Sequence, residues 1–558
     1  MKVKPLFNYT NANNFLSDYL FACGVKDVKS YIDANTTVYN NSWTYPNIKL
    51  AVDRLEYAIS CGEKIGILQD SDCDGIMSAA LIADYIQQFG NNEIIPFFHK
   101  AKAHGLRKNP DEDIVNDVIN SNINLLIIPD ASTADVKEHN FLHEYGIDCL
   151  VFDHHDESSE GSLAIVVNNN HDHRLNKAIS GTGVTEKVVM AHWSKYGQDK
   201  IARPNYKDMV AVSLISDICN MTSAENRRYI IDGFALIAHK FYGNPMIKLL
   251  TKKLNRRGMT QSGFSWGAIP PINALCRSSN QDDKLLFFNA MIGKEDIEQG
   301  LRVIKKAHRY QKDVVPKIES DIKPTLDNCH KVLIGFTEPE YKTYIGLVAN
   351  KLCGESGKPT LLLREADDNT WSGSMRSPID IKDQINETGL ATVQGHNSAA
   401  GIFIAKDKLN DLISWFDNQE LDIDPPIIVT SVIKSDDIDL SLCHACVDNN
   451  IIWSGSDAGG IPQPKFYIEF ESHPNMISIF EKHTNTIRFN FPNCSIIKFS
   501  ANEQECEMVK NGNCKIKAII NLDINNWNNT ELAQGLVDKW EIEPINTNDD
   551  MDWESLFK

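Results

Sequence analysis

Between residues 64 and 155, four short apolar runs alternate with segments of helical periodicity, and three of the runs stop at an aspartate. The runs are IGILQ before Asp70, IIPFF at 94–98, LLIIP before Asp130 and CLVF before Asp153. Short continuous apolar runs of this kind suit strands buried on both faces, the condition of a parallel sheet with helical crossovers. The carboxyl edge of such a sheet is where open α/β folds bind ligands. Three strand ends with terminal carboxylates are hard to explain as solvation alone. The last of them reads CLVFDHHD, with His154 and His155 directly after Asp153. A turn with a capping aspartate and two solvated histidines fits that stretch by itself. Adjacent residues on a strand face opposite ways, so two functional rings here need different partners.

The remaining pattern divides the chain. Residues 1–45 read as an N-terminal helical segment and 46–277 as the α/β unit just described, which turns mostly helical after about 190. Residues 278–328 form linker helices, with 284–315 patterned as one long charged helix. A second, smaller α/β pattern runs over 329–422. Residues 423–545 are strand-rich and suggest a small barrel or sandwich, and 546–558 are an acidic tail that frays. A chain of 558 residues is too long for one core. No apolar stretch reaches the length of a membrane span, and the N-terminus lacks an apolar signal core, so a cytoplasmic protein is expected. Thirteen scattered cysteines favour a reducing compartment. The close pair Cys443 and Cys446 has no second pair at zinc spacing. The formal net charge of −19 argues against a general nucleic-acid coater but leaves room for a local basic groove.

The densest polar signal is Asp70-Ser71-Asp72-Cys73-Asp74-Gly75. Gly75 suits a tight turn, with a helix starting near Ile76. A calcium hand would need a glutamate at loop position twelve, where Leu81 stands. Closely spaced like charges need a cation or a proton to coexist. The candidate set is Asp72, Asp74, Asp130, His154 and Asp217. Carboxylates with an imidazole suit Mn2+ and, less well, Mg2+. This many carboxylates fit two ions that activate water and clamp a phosphoryl oxygen. Asp217, in LISDICN, also fits a helix cap.

In order, LQDSDCDGIMS, IIPDAS, VFDHHD and ISDICN resemble the four metal-binding motifs of the DHH phosphoesterase superfamily. ISGTGVTEKVV (179–189), WGAIPPINALCR (266–277), GSMRS (373–377) and GHNSAAG (395–401) extend the resemblance to RecJ-like single-strand-specific exonucleases. So do SGSDAGGIPQPKF (454–466) and the segment 519–542. The resemblance implies a multidomain α/β fold: a parallel-sheet catalytic core, a helical linker, a smaller DHH-associated α/β domain and a C-terminal oligonucleotide-binding β-barrel. It implies a 5′-to-3′ exonuclease on single-stranded DNA that uses two-metal water activation. It makes Asp72, Asp74, Asp130, His154 and Asp217 the metal ligands, with Asp130 bridging. His155 would contact the scissile phosphate or donate a proton, and Asp153 would orient a ligand histidine. Many relatives carry a histidine where this chain has Leu68; water or Asp70 would fill that place.

On the phosphate side stand Arg376 in GSMRS, His396 in a glycine-bounded turn, and Arg277. The run HKAKAHGLRK adds Lys100, Lys102, His104, Arg107 and Lys108, and also fits a solvated loop. Trp527 suits either base stacking or a place in the barrel core. A monomer is expected, with single-stranded DNA as substrate and a single-strand-binding protein or helicase as candidate partner. Two other readings compete. One is a DHH phosphodiesterase for short oligonucleotides or cyclic dinucleotides. The other is a degenerate DHH scaffold in a replication complex, which would be expected to have lost ligands.

Overall fold

The computed structural model describes residues 1–90, 92–106, 113–255, 258–395, 398–420, 426–447, 460–481, 485–510, 513–527 and 530–545. The chain forms two compact units, Ala34–Ile423 and Met1–Asp33 with Asp424–Lys558.

The larger unit holds two sheets. The first has five strands in the spatial order Ile94–Phe98, Ile65–Gln69, Leu125–Pro129, Asp148–Asp153, Ile165–Asn168. All its pairings are parallel. The three central strands are almost wholly buried, which is why they read as unbroken apolar runs. The edge strand Ile165–Asn168 was not anticipated; its run, AIVVN, is too short to stand out from a loop. From Ile65–Gln69 the chain goes first to one neighbour and later to the other, so a topological switch point lies at the carboxyl end of this strand. Helix Cys73–Gln87 is apolar nearly all round because it is buried against Gly181–His192 and Lys207–Ser216 as well as the sheet.

The second sheet follows the order Ala391–Gly395, Ala399–Ala405, Thr370–Arg376, Thr360–Asp367, Leu333–Phe336. It is mixed: only Leu333–Phe336 pairs in parallel. Its core includes Leu361, Met375, Ile402 and Phe416. Between the sheets, the expected single helix over 284–315 is two, Gln281–Met291 and Ile297–Ile322. Gly293 takes φ +74° and Asp296 caps the second helix through Glu298 N–H, so the segment IGKED stops one helix and starts the next.

In the smaller unit, Val3–Pro5 pairs in parallel with Ile427–Val429, so the two ends of the chain build one body. Its sheet has seven strands in the order Ser431–Val432, Phe466–Ser472, Cys514–Trp527, Thr530–Pro544, Cys494–Ala501, Asn485–Asn490, Ile477–Glu481. Among the described residues the two edge strands do not pair with each other, so the expected barrel is seen as an open sheet. Cys443 and Cys446 are buried free thiols in helix Leu440–Val447 and, among the described residues, belong to no candidate metal group.

Candidate metal centre and adjoining cations

The acids that end the strands meet at the switch point. After Gln69 the chain needs only Asp70, Ser71 and Asp72 before the helix begins at Cys73, earlier than the expected Ile76. Asp72 is the N-cap and accepts from Gly75 N–H at 3.0 Å. Gly75 therefore serves close packing, not a tight turn: a Cβ there would lie 2.6 Å from the Asp70 carbonyl oxygen. Asp74, in the first helical turn, points across to another helix start. Gly181 N–H and Thr182 N–H donate to its two carboxylate oxygens at 2.8 and 2.9 Å. A carboxylate at a helix N-terminus meets unpaired N–H groups and a positive dipole end.

Asp130 follows its strand with φ +68°, left-handed backbone that costs a non-glycine residue on the order of 1–2 kcal/mol. Its Oδ1 is buried without a hydrogen-bond donor among the described residues. His154 Nε2 lies 3.2 Å from that oxygen and 3.6 Å from Asp217 Oδ2. Three overlapping sets share ligand atoms within 4.8 Å: Asp130 with Asp153, His154 and His155; Asp74 with His154 and Asp217; and Asp70 with Asp72 and Asp130. All five expected ligands are thus brought together. Leu68 is buried in the apolar core, and Asp70 lies with Asp72 and Asp130 in the cluster.

Electrostatics give the cluster its character. Burial, then the charges of Asp74 and Asp72, pushes the carboxyl pKa values of Asp130 and Asp217 well above the usual range. Asp72 is raised by burial and by Asp70. Burial and the neighbouring His155 lower the His154 pKa, keeping its imidazole neutral, the form that ligates metal. So many carboxylates cannot all ionise alone, while a shared divalent cation would let them. An orphaned Asp130 oxygen, a neutral imidazole facing it and the carboxylates of Asp70, Asp72, Asp74 and Asp217 fit such an ion.

The two histidines divide. Asp153 Oδ1 bonds the ring Nδ1 of His155 at 2.8 Å, so it orients His155; of His154 it touches the backbone N–H, at 2.7 Å. Burial opposes charge on Asp153, yet the bond to His155 holds its pKa well below the usual range, and Asp153 in turn raises His155. Thr133 donates to Asp153 Oδ2 through N–H and hydroxyl, and Asn168 and Asn170 hold the His155 and His154 carbonyls. Sequence reasoning missed these three. Their signal is local: Thr133 lies three residues after Asp130, and the asparagines are the first and last of the NNN that starts at the end of the missed edge strand.

Beyond the carboxylates lie cations. His104 Nδ1 sits 3.1 Å from Asp70 Oδ2, and its ring packs edge-on to His155 at 4.5 Å between centroids. Burial alone would lower His104, but Asp70 raises it to about 10. Lys102 keeps an exposed surface, yet desolvation by the surrounding chain, then the charges of Arg277 and Arg376, draws its ammonium pKa down. Arg376 is lowered by burial and by Arg277. Arg376 Nη1 donates to Ser374 Oγ at 2.8 Å, whereas Arg277 Nε is buried with no hydrogen-bond partner among the described residues. Cys276 Sγ, 3.2 Å from the Asp72 carbonyl, ties the Arg277 segment to the carboxylates. Arg107 and His396, and the side chain of Trp527, lie outside the described residues.

Residues 64–214 match the DHH family, N-terminal domain. A putative SPbeta prophage-derived single-strand DNA-specific exonuclease of Bacillus subtilis (strain 168) is 28% identical over 422 residues, covering 69% of this chain and 71% of that one. The single-stranded-DNA-specific exonuclease RecJ of the same organism is 22% identical over 578 residues, 97% of this chain and 70% of that one. The crystal structure of RecJ from Thermus thermophilus in complex with Mn2+ superposes with a TM-score of 0.75 at 16% identity, covering 97% of this chain and 78% of that one. The region that carries the carboxylate–imidazole cluster is thus similar to the DHH family, N-terminal domain, with the fold of a metal-binding phosphoesterase. Over nearly its whole length the architecture of this chain is similar to that of RecJ. Among the described residues no helix is long and apolar enough to cross a membrane.

Proposed function

We propose that this chain is a metal-dependent exonuclease that hydrolyses phosphodiester bonds of single-stranded DNA from the 5′ end. One observation carries the reading: a carboxylate–imidazole cluster borders directly on Lys102, Arg277 and Arg376, whose charges crowd one another and call for an anion. The DNA preference is supported by the relatives' names, and the 5′ polarity is what the RecJ resemblance of the motifs implies.

Asp72, Asp74, Asp130, His154 and Asp217 would hold two divalent cations, with Mn2+ favoured by the nitrogen ligand and Mg2+ as the alternative. Bound there, the ions supply an acidified water and neutralise charge on the scissile phosphate. The chain does the rest. Arg277, Arg376 and Lys102 seat the strand's phosphates. Asp153 fixes Nδ1 of His155, leaving Nε2 to hold a proton toward the leaving oxygen. Asp70 keeps His104 protonated beside it as a further phosphate contact. The C-terminal sheet acts as an oligonucleotide-binding domain for nucleotides farther along, with Trp527 as a candidate stacking residue. The protein works as a cytoplasmic monomer on strands opened by a helicase or coated by a single-strand-binding protein.

The test is digestion of a long single strand labelled at either end, with Mn2+ or Mg2+, beside duplex and dinucleotide controls. Cleavage of dinucleotides alone would favour the short-oligonucleotide phosphodiesterase.

A further inference from the structure

Tyr310 is 60% exposed on helix Ile297–Ile322, and the chemistry above does not use it. Val314 and Ile318 follow it at intervals of four residues, on the same side of the helix. Both pack in the apolar cluster that holds Tyr344. Tyr310 therefore stands at the open end of that stripe, beside Tyr344. The Tyr344 phenol, its pKa raised mainly by burial, feels Tyr310 and Arg277 as neighbours.

The same helix packs against Ile269–Cys276, whose next residue is Arg277, and against Ile345–Ser356. Near the start of the latter, Gly346 lies under the Arg376 guanidinium, where a Cβ would come 2.8 Å from Nη2. Other aromatics of this unit are more exposed, Phe241 at 78% and Trp266 at 77%. Tyr310 differs from them in sharing the neighbour Tyr344 with Arg277, on a helix that packs against the segments next to both arginines. An accessible phenol face beside a phosphate seat suits a flat heterocycle joined to that phosphate by a sugar. An inorganic phosphate chain would leave it idle.

We propose that Tyr310 is a base-stacking residue: the nucleotide whose phosphate is held by Arg277 and Arg376 lays its base on the Tyr310 ring. This rests on the exonuclease reading and adds to it a source of single-strand selectivity. A base inside a duplex is already stacked on both faces and paired at its edge, so only an unpaired base can take this place without loss.

The experiment compares wild type, Tyr310→Phe and Tyr310→Ala, loaded with Mn2+, on a short single strand and on copies made abasic at one position at a time. Tyr310→Ala should raise KM for the normal strand by on the order of tenfold, with kcat changed less than about twofold. Tyr310→Phe should match wild type, because it keeps the ring. One abasic position should raise the wild-type KM by a similar factor and have no further effect in Tyr310→Ala. An unchanged KM in Tyr310→Ala, or an abasic penalty that persists undiminished in that variant, would overturn the inference while leaving the exonuclease reading standing. If wild type cleaves no single strand, that reading falls, and this inference with it.

Discussion

Gly181 and Asp130 touch so closely that a Cβ on residue 181 would lie 2.4 Å from Asp130 Oδ1 and 2.6 Å from its Cβ. The same glycine donates its N–H to Asp74 at 2.8 Å. One residue without a side chain thus sets the spacing of two carboxylates from different strand–helix junctions. Gly181→Ala should displace Asp130 and lower activity by on the order of 10²-fold, as sub-ångström misplacement of a reacting group does. Mn2+ binding by calorimetry should weaken in parallel, while circular dichroism stays native. Wild-type metal affinity in this variant would remove the glycine from the site's geometry.

The division between the histidines predicts three phenotypes. His154→Ala should weaken Mn2+ binding, and excess metal should restore part of the rate. His155→Ala should lower kcat by roughly 10²–10⁴-fold with little change in metal affinity, the loss typical of a general acid. Asp153→Asn should resemble His155→Ala more than His154→Ala, because its carboxylate bonds the His155 ring. Titration of all three variants with Mn2+, read by calorimetry and by turnover, checks the pattern. Equal loss of metal affinity in both histidine variants would contradict it.

The strand ends at Asp70, Asp130 and Asp153 were legible because a two-sided buried strand must be a continuous apolar run, and the polar residue that stops it marks the sheet's edge. Asp217, which ends the helix Lys207–Ser216 and no strand, entered the candidate set through its motif instead. What local pattern could not carry is long-range. Lys102, Arg277 and Arg376 come from three distant segments, and only the packed unit brings their charges together. The pairing of Val3–Pro5 with Ile427–Val429 is equally non-local. The helix break at Gly293 was missed because apolar spacing continues across it. The left-handed Asp130 backbone has no sequence signature at all, since aspartate takes that conformation only when its surroundings hold it there.

The cation group predicts a salt signature. Arg376→Ala and Lys102→Ala should each raise KM for a short single strand about tenfold, the scale of a lost charge-assisted hydrogen bond. Each should also make the plot of log affinity against log salt shallower by about 0.7 per phosphate contact removed. Fluorescence anisotropy over a salt series with a metal-inactive variant reads both. An unchanged slope would place these side chains away from the strand.

His139 ties stability to pH. It is 1% exposed, with Nδ1 3.0 Å from Ser162 Oγ, and burial pushes its pKa down to about 4. Unfolded, the ring takes its proton near 6.5. Between those values the unfolded chain binds more protons, so the contribution is whole above about 6.5 and is lost as pH falls toward 4. Its size is about 3 kcal/mol at most. His192, also lowered to about 4, behaves likewise. Urea unfolding from pH 7.5 to 4.5 should show stability falling with acid, and His139→Gln should remove part of that slope. A slope unchanged in the variant would mean that His139 does not stay neutral in the fold.

The central claim is that the carboxylate–imidazole cluster and the adjoining cations act together to remove nucleotides from the 5′ end of single-stranded DNA. A 50-nucleotide strand labelled at its 5′ end, incubated with wild type and with Asp130→Asn in Mn2+ and in chelator, tests it most directly. The account predicts immediate release of the label as mononucleotide by wild type with Mn2+, none with chelator and none with Asp130→Asn. Release of the label only after the rest of the strand is gone, or equal release by Asp130→Asn, would contradict it.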